Sequence, residues 1–201
     1  MKKIILVLTT VLTVLVLSSC DVDGSETTKK DDSTLNESQG EVTNVTKISS
    51  YISNFTNWEE NKDADGSTIS IVVESDNLLV SYDISNSTNQ YPYSQTMVTA
   101  VDTDDTNIPF TDVKTITIAY KSGTDLNIRL NDEGNDGKEY FHTLAASTEF
   151  TTVKLNLNTT DFAQPDWATG DRDLILSNVV GVVVYGTDNS GSFELDSISV
   201  E

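Results

Sequence analysis

Polar side chains that could hold a ligand alternate with aliphatic ones along residues 126–131, whose sequence is LNIRLN. If this segment is a β-strand, Asn127, Arg129 and Asn131 point to the same side, because successive side chains of a strand face opposite ways. The guanidinium of Arg129 presents a rigid fork of N–H donors, and each asparagine amide offers donors and an acceptor. The segment predicts a hydrogen-bonding row on one surface; the alternative for Arg129 is an ion pair with one of the many acids.

A second strand is predicted at residues 139–145, and it pairs with the first if the chain turns back as a hairpin through residues 132–138. Phe141 is the expected core residue of this strand, so Tyr140 and His142 are predicted to share the outer face with the polar row. Their side chains could stack on a ligand or bridge to it. The alternative for His142 is a bystander on a polar face.

Two further aromatic residues, Tyr91 and Tyr93, flank Pro92 in a polar loop. Tyrosines in such a loop are candidates for the rim of a binding site, because each ring combines apolar area with a polar hydroxyl group. Packing within the loop itself is the alternative for both residues.

Motifs for catalysis are not found in the sequence. The chain has one cysteine, Cys20, and one histidine, His142, so a zinc site built from several such ligands and an intrachain disulfide are both excluded. No serine lies in a Gly-x-Ser-x-Gly elbow, and no phosphate loop or dinucleotide motif is present. The 32 acidic residues include no motif that selects a carboxylate pair for glycoside hydrolysis. The chain is therefore predicted not to be an enzyme.

The charge of the chain excludes another class of partner. The formal net charge is −20, and residues 1–19 contain two lysines and no acid. Removing those residues leaves 10 basic and 32 acidic side chains, a formal charge of −22. Such a surface repels phosphate backbones, so nucleic-acid binding is not expected.

The N-terminus has the pattern of a signal peptide, with two lysines followed by an apolar stretch over residues 4–17 that is too short for a comfortable bilayer span. The letters LSSC at residues 17–20 resemble the lipobox of bacterial lipoproteins. The resemblance implies cleavage before Cys20, a diacylglycerol group on its sulfur, and a lipid-anchored location in the bacterial cell envelope, at the outer membrane or cell surface. The alternative is an ordinary signal peptide followed by a chance cysteine.

The rest of the chain divides into a tether and one domain. Residues 20–47 are polar and acidic, without aromatic residues, which predicts a disordered tether. Residues 48–201 contain short β-branched runs between polar clusters, which predicts an all-β domain, a two-sheet β-sandwich of jelly-roll type. The predicted strands cover residues 68–74, 78–84, 95–101, 113–121, 126–131, 139–145, 151–157, 174–176, 179–185 and 192–200.

Alternation within these strands also predicts the core. Ile116, Ile118 and Tyr120 fall on one side of their strand. In the last strand the apolar phase shifts between Leu195 and Ile198, which indicates either a β-bulge or burial of both faces. Trp58 and Trp167 are expected to be buried anchors, while Tyr82 and Tyr185 fit either side of a sheet.

Several segments together resemble jelly-roll, galactose-binding-like carbohydrate-binding modules of the kind found with cellulases and other β-glucanases. They are TITIAYKS at 115–122, DLNIRL at 125–130, YF at 140–141, FTTVKL at 150–155, FAQPDW at 162–167, VVGVVVYG at 179–186 and FELDSI at 193–198. The resemblance implies a β-glucan or similar plant-type glycan in a groove on the concave sheet. It also implies a structural calcium ion held partly by Asp196, for which the alternative is a solvated strand-edge acid.

A separate acidic stretch, NKDADG at residues 61–66, matches the start of an EF-hand loop. Its twelfth position is Val72 instead of the glutamate that closes such loops, so we interpret the match as coincidence.

Sugars present apolar ring faces and a belt of hydroxyl groups, which aromatic platforms and planar donors and acceptors can match. We therefore expect non-catalytic polysaccharide binding by a surface lipoprotein anchored through Cys20, with separate glycanases or other surface proteins as further partners. The alternative is an adhesin-like or structural lipoprotein that contacts another protein, and a glycosidase is a weaker alternative.

Overall fold

A computed structural model of the protein describes residues 42–133, 140–165 and 173–201. Cys20, Trp167, the predicted signal peptide of residues 1–19 and residues 20–41 of the predicted tether lie outside the described residues. Within the part of the chain that is described, no helix has both the length and the apolar character needed to cross a membrane.

The described residues form one α-helix, α1 (Asn44–Ile52), two short 3-10 helices and a series of β-strands. The strands are β1 (Glu59–Lys62), β2 (Thr68–Glu74), β3 (Asn77–Asp83), β4 (Ser94–Thr99), β5 (Thr115–Ser122), β6 (Leu126–Asp132), β7 (Phe141–Leu144), β8 (Ser147–Asn156), β9 (Val179–Gly186) and β10 (Ser190–Val200).

These strands build two five-stranded antiparallel sheets. The first sheet has the strand order β1-β4-β9-β6-β7, and the second sheet has the order β2-β3-β10-β5-β8. The inner sides of the two sheets bury one hydrophobic cluster, and every described strand except β1 contributes side chains to it. The predicted fold class, an all-β two-sheet sandwich of jelly-roll type, is confirmed.

The alternation read from the sequence accounts for most of this core. Ile116, Ile118 and Tyr120 of β5 are at most 2% exposed, as predicted. Strand β9 is different, because it is buried continuously from Val179 to Val184. It lies in the middle of the first sheet, where the residues on its outer side are covered by neighbouring side chains.

The phase shift in the last strand is a β-bulge. The pairing of β10 with β5 shifts register between Leu195 and Ser197, which leaves Asp196 as the extra residue. Leu195 and Ile198 are both buried, while Asp196 and Ser197 are exposed. Burial of both faces of the strand, the alternative interpretation, is therefore wrong at this position.

Helix α1 was not predicted, and it overlaps the predicted tether over residues 44–47. It begins at a cap in which Thr43 Oγ1 accepts a hydrogen bond from the backbone N–H of Thr46, 3.3 Å away. Ile48 and Ile52 are at most 1% exposed, and burying each side chain contributes about 1.5–3 kcal/mol. A nine-residue helix is marginal alone, so packing on the sandwich stabilises it.

Two other differences concern short segments. Strand β1 was not predicted, because its sequence EENK has no apolar residue and it gains its structure by pairing with β4 at the sheet edge. The strand predicted at residues 174–176 is wrong: the chain there enters a 3-10 turn, Leu176–Asn178. Trp58 is buried as expected, and its Nε1–H donates to the carbonyl oxygen of Ile52 at 2.9 Å.

Candidate ligand-binding face

The outward side of the first sheet brings together the polar row that the sequence predicts. Asn127, Arg129 and Asn131 of β6 are partly exposed, whereas Leu126, Ile128 and Leu130 between them are buried. The three predicted side chains therefore share one surface. We call this side of the sheet the polar face; its positions are Glu59 and Asn61 on β1, Gln95, Met97 and Thr99 on β4, Gly181, Val183 and Tyr185 on β9, Asn127, Arg129 and Asn131 on β6, and Phe141 and Thr143 on β7.

One row of the polar face crosses all five strands. The register aligns Glu59 with Met97, Met97 with Val183, Val183 with Arg129, and Arg129 with Phe141. Arg129 supplies the positive charge of this face, and Glu59 supplies a negative charge at its β1 edge. The row thus offers the partly exposed apolar side chains of Met97 and Phe141, with a guanidinium group near one end and a carboxylate at the other.

Arg129 is held across the central strand. Its Nη2 donates a hydrogen bond to Oε1 of Gln95 at 3.2 Å, and its guanidinium carbon lies 6.0 Å from the centre of the Tyr185 ring. Reaching from β6 to β4, the side chain passes over β9, where Val183 is completely buried although it points outward. The arginine is therefore part of an ordered surface and not a loosely solvated cation.

The asparagines of the row are also fixed by contacts between strands. Asn131 Nδ2 donates to Thr99 Oγ1 at 3.1 Å, and this bond passes over Gly181 of β9. Asn127 Oδ1 accepts a hydrogen bond from Thr143 Oγ1 at 2.8 Å. These bonds orient the amide groups before any ligand is present, which lowers the entropy that binding must remove.

The prediction that Tyr140 and His142 lie on this face is wrong. Strands β6 and β7 do pair, but Arg129 is opposite Phe141, so Phe141 shares the polar face and its two neighbours point to the other side. Tyr140 is 1% exposed in the core, and its hydroxyl group donates to the backbone oxygen of Asp173. The error arose because a run of two aromatic residues does not show which one faces inward.

His142 lies at the edge of the sandwich interior. Its Nδ1 is 2.7 Å from the carbonyl oxygen of Asp161, and its ring centre is 6.2 Å from that of Phe162. Because a carbonyl can only accept, Nδ1 must carry the proton in this contact. The residue therefore secures the segment after β8 and does not contribute to the polar face.

The two loop tyrosines have the exposure that the sequence predicts, 75% for Tyr91 and 42% for Tyr93. Tyr93 directly precedes β4 and keeps the same phase as Gln95, which places it at the margin of the polar face. Tyr185, whose side was left open, lies on this face opposite Asn127. Tyr82, the other undecided tyrosine, is buried in the core beside Phe193.

The predicted calcium ligand lies elsewhere. Asp196 is exposed at the bulge of β10, in the second sheet. Among the described residues, no group of three or more His, Cys, Asp or Glu side chains is placed to hold a metal ion. A calcium ion at Asp196 would therefore take most of its ligands from backbone carbonyl, side-chain amide or hydroxyl, or water oxygens, and it stays a prediction.

Two cavities formed by described residues also lie away from the polar face. One of ≈ 550 Å³ is bounded by Asp112, Lys114 and Asn158, and one of ≈ 370 Å³ lies beside Lys121 and Ser192 on the second sheet. Neither includes a residue of the polar face, so cavity shape alone does not identify it.

Comparison with solved structures finds a similar fold in carbohydrate-binding modules. The structure is similar to a family 11 carbohydrate-binding module from Clostridium thermocellum, solved in complex with a β-1,3-1,4-mixed-linked tetrasaccharide, with a TM-score of 0.54 and 16% identity. That match covers 72% of this chain and 88% of the other. The family 11 module of the cellulosomal cellulase Lic26A-Cel5E of Clostridium thermocellum matches with a TM-score of 0.51 and 18% identity, over 72% of this chain and 86% of that one.

At these identities the similarity establishes the fold and does not carry over a ligand or a function. No protein-family model matches the sequence, and no curated protein matches it. The assignment of function therefore depends on the chemistry of the polar face.

Proposed function

We propose that this protein binds a polysaccharide, a β-glucan or similar plant-type glycan, and does not cleave it. The observation that carries the proposal is the polar face, where Arg129 bonds Gln95 and lies near the ring of Tyr185, with the fixed amide groups of Asn127 and Asn131 on either side. Similarity of fold to carbohydrate-binding modules supports it.

The arrangement suits the two surfaces of a sugar. Tyr185 and Phe141 offer rings to the apolar face of a pyranose, while Arg129, Asn127 and Asn131 offer donors and acceptors to its hydroxyl groups. The affinity is expected to be modest, because an open surface buries limited area and displaces water that already has good hydrogen bonds.

Isothermal titration against cello-, xylo- and mixed-linkage gluco-oligosaccharides, using residues 21–201, tests this proposal. One oligosaccharide class should give saturable heat, and Arg129→Ala should abolish it, since a hydrogen bond to a charged group contributes about 1.5–3 kcal/mol. Lys121→Ala is the matched control, because it removes a cation from the second sheet, where Lys121 pairs with Glu194 at 2.7 Å. If the folded protein gives no binding heat with any oligosaccharide of the panel, the proposal is overturned. If Arg129→Ala and Lys121→Ala lose binding equally, the choice of face is overturned.

We further propose that Cys20 anchors this module in the bacterial cell envelope, where it would hold polymer near separate glycanases. The support is the signal-peptide pattern and the lipobox-like LSSC at residues 17–20. In a bacterial host fed labelled palmitate, the full chain should incorporate label and Cys20→Ala should not. An unlabelled wild-type chain would contradict the anchor.

A second candidate function is contact with another protein through the second sheet. Its support is exposed apolar surface, with Val72 52% and Phe150 45% exposed on the outer side of that sheet. The ion pair of Lys121 and Glu194 lies between these two residues and interrupts the apolar surface. For this reason we rank the polar face first.

A further inference from the structure

A buried carboxylate lies directly behind the loop that carries the two exposed tyrosines. Asp63 follows β1 and is 4% exposed. Its Oδ2 accepts hydrogen bonds from the backbone N–H of Tyr93 at 3.0 Å and from Ser67 Oγ. Its Oδ1 accepts from the N–H of Asp65 at 2.8 Å and from Ser87 Oγ at 3.0 Å.

A chain of hydrogen bonds extends this contact to the second tyrosine. Ser87 Oγ, which donates to Asp63, accepts from the N–H of Asn89 at 3.2 Å. The side-chain oxygen of Asn89 then accepts from the N–H of Tyr91 at 2.9 Å. Asp63 is thus bonded directly to the backbone of Tyr93 and through two residues to that of Tyr91.

The segments on either side of this carboxylate are also docked closely. The N–H of Thr88 donates to the carbonyl oxygen of Asp65 at 2.9 Å. Gly66 has a φ of +116°, and a Cβ atom there would lie 2.6 Å from the carbonyl oxygen of Asn86. Glycine allows this approach, which brings Ser87 within reach of Asp63.

The carboxylate is set up as an anion. Burial opposes its ionisation, but the four hydrogen bonds outweigh burial and hold the pKa of Asp63 well below its usual range. Both oxygens accept from N–H or O–H groups, which is the surrounding of a structural anion and not of a cation ligand. This geometry also accounts for the EF-hand-like sequence at residues 61–66 without a metal ion.

We propose that Asp63 is a positioning residue, which fixes Tyr93 at the margin of the polar face and Tyr91 in the loop before it, and so strengthens glycan binding without touching the glycan. The inference depends on the proposed function. Two exposed aromatic side chains on a mobile loop would lose entropy on binding, and holding their backbone in advance reduces that loss. Releasing the loop should weaken binding by about tenfold.

The test compares Asp63→Asn with Asp83→Asn. Asp83 Oδ1 accepts from the N–H and the hydroxyl group of Ser85, at 2.8 Å and 2.5 Å, so it makes a similar turn without bonding Tyr93. Glycan affinity and amide hydrogen exchange are measured for each variant. Asp63→Asn should lower affinity about tenfold and accelerate exchange at the amides of Tyr91 and Tyr93, while Asp83→Asn should leave both unchanged.

A double-mutant cycle separates positioning from general stability. In a protein with Tyr91→Ala and Tyr93→Ala, adding Asp63→Asn should not lower affinity further. An equal loss in both backgrounds, or faster amide exchange with unchanged affinity, would overturn the inference. If Asp63→Asn does not fold, Ser87→Ala provides the same cycle for Tyr91 alone.

The two proposals fail in different ways. A wild-type protein that binds no glycan overturns the proposed function and with it the binding role of Asp63. Amide exchange in the same samples still reports whether Asp63 orders the loop, because that measurement needs no ligand.

Discussion

At the scale of single residues, the polar face shows how a charged side chain becomes ordered on an open surface. Arg129 donates a hydrogen bond to Gln95, lies near the ring of Tyr185, and crosses the strand on which Val183 is buried although it points outward. Arg129, Gln95 and Tyr185 would thus contact a ligand and also hold one another in place. Substitutions here therefore change both the contacts and the order of the surface, and controls on the opposite sheet are needed to separate the two.

Tyr140 belongs to the core, and its substitution should act on stability. Tyr140→Ala should lower the free energy of unfolding by about 3–5 kcal/mol, because it removes a large buried ring. Tyr140→Phe keeps the ring and should cost less, since it loses the hydroxyl contact with the backbone of Asp173. Urea unfolding measures both variants. A Tyr140→Ala protein with wild-type stability would contradict the burial of this side chain.

At the scale of elements, sequence predicts strands better than it predicts which way they face. Alternation of apolar and polar residues predicts strand β2, and it also predicts which side chains of β5 and β6 face the core. Strand β7 is short and begins beside two adjacent aromatic residues, so its orientation depends on the register with β6. Strand β1 has no apolar residue, and only its pairing with β4 defines it.

The candidate site was likewise predictable only in part from the sequence. The polar row on β6 and the exposed tyrosines came from local pattern, whereas Gln95, Phe141 and Tyr185 join the site through pairing between distant strands. The local sequence gave little sign of these positions. Tyr185 lies near the end of a valine-rich strand, and no neighbouring residue indicates which side of the sheet its ring faces.

Strands β4 and β9 approach too closely at Gly181 for any side chain there. A Cβ atom would lie 2.0 Å from the carbonyl oxygen of Val98, which is backbone and cannot rotate away. Gly181→Ala should therefore lower the free energy of unfolding by about 1–3 kcal/mol. Gly123→Ala is the control, because its Cβ would meet nothing within 4 Å and should change stability by less than about 0.5 kcal/mol. Equal effects in thermal unfolding would contradict this packing.

The bulge in β10 offers a test of the calcium prediction. If Asp196 ligates calcium, the ion should raise the Tm of the wild-type protein by roughly 5–10 °C at 100 times its Kd, from about 2.7 kcal/mol of binding linkage. Magnesium at the same concentration should have little effect, because it prefers a tighter octahedral shell. Asp196→Ala should remove the response to calcium. A wild-type Tm that does not change with calcium would contradict the site.

At the scale of the whole molecule, the acidic composition and the fold have separate consequences. The formal charge of −20 favours solubility and repels anionic polymers, while the polar face has one cation and one edge acid. The negative surface would repel an anionic polymer, but it would repel a neutral polymer much less. The charge of the chain therefore favours a neutral over an anionic polymer as the proposed ligand.

The acidic residues also determine how stability depends on pH. Hydrogen bonds hold the pKa of Asp63 below its usual range against the effect of burial, and they lower the pKa of Asp83 and Asp102, chiefly through the Ser85 hydroxyl and the Thr106 N–H. A carboxyl group with a lower pKa in the folded state stabilises the fold above its unfolded pKa of about 4, and that contribution is lost as the pH falls toward the folded-state pKa.

We therefore expect a variant with Asp63→Asn, Asp83→Asn and Asp102→Asn to be less stable than the wild type at pH 6. The difference in free energy of unfolding should shrink as the pH falls from about 6 to about 2, because below the unfolded pKa the unfolded wild-type chain takes up protons on these carboxyl groups that the folded chain binds only at lower pH. Protonation of the other acids relieves repulsion equally in both proteins, so this effect cancels in the difference. Urea unfolding at high salt, which screens that repulsion, should therefore give the same pH dependence of the difference. A difference that stays constant over this range would show that the three asparagines act through shape and not through lost charge.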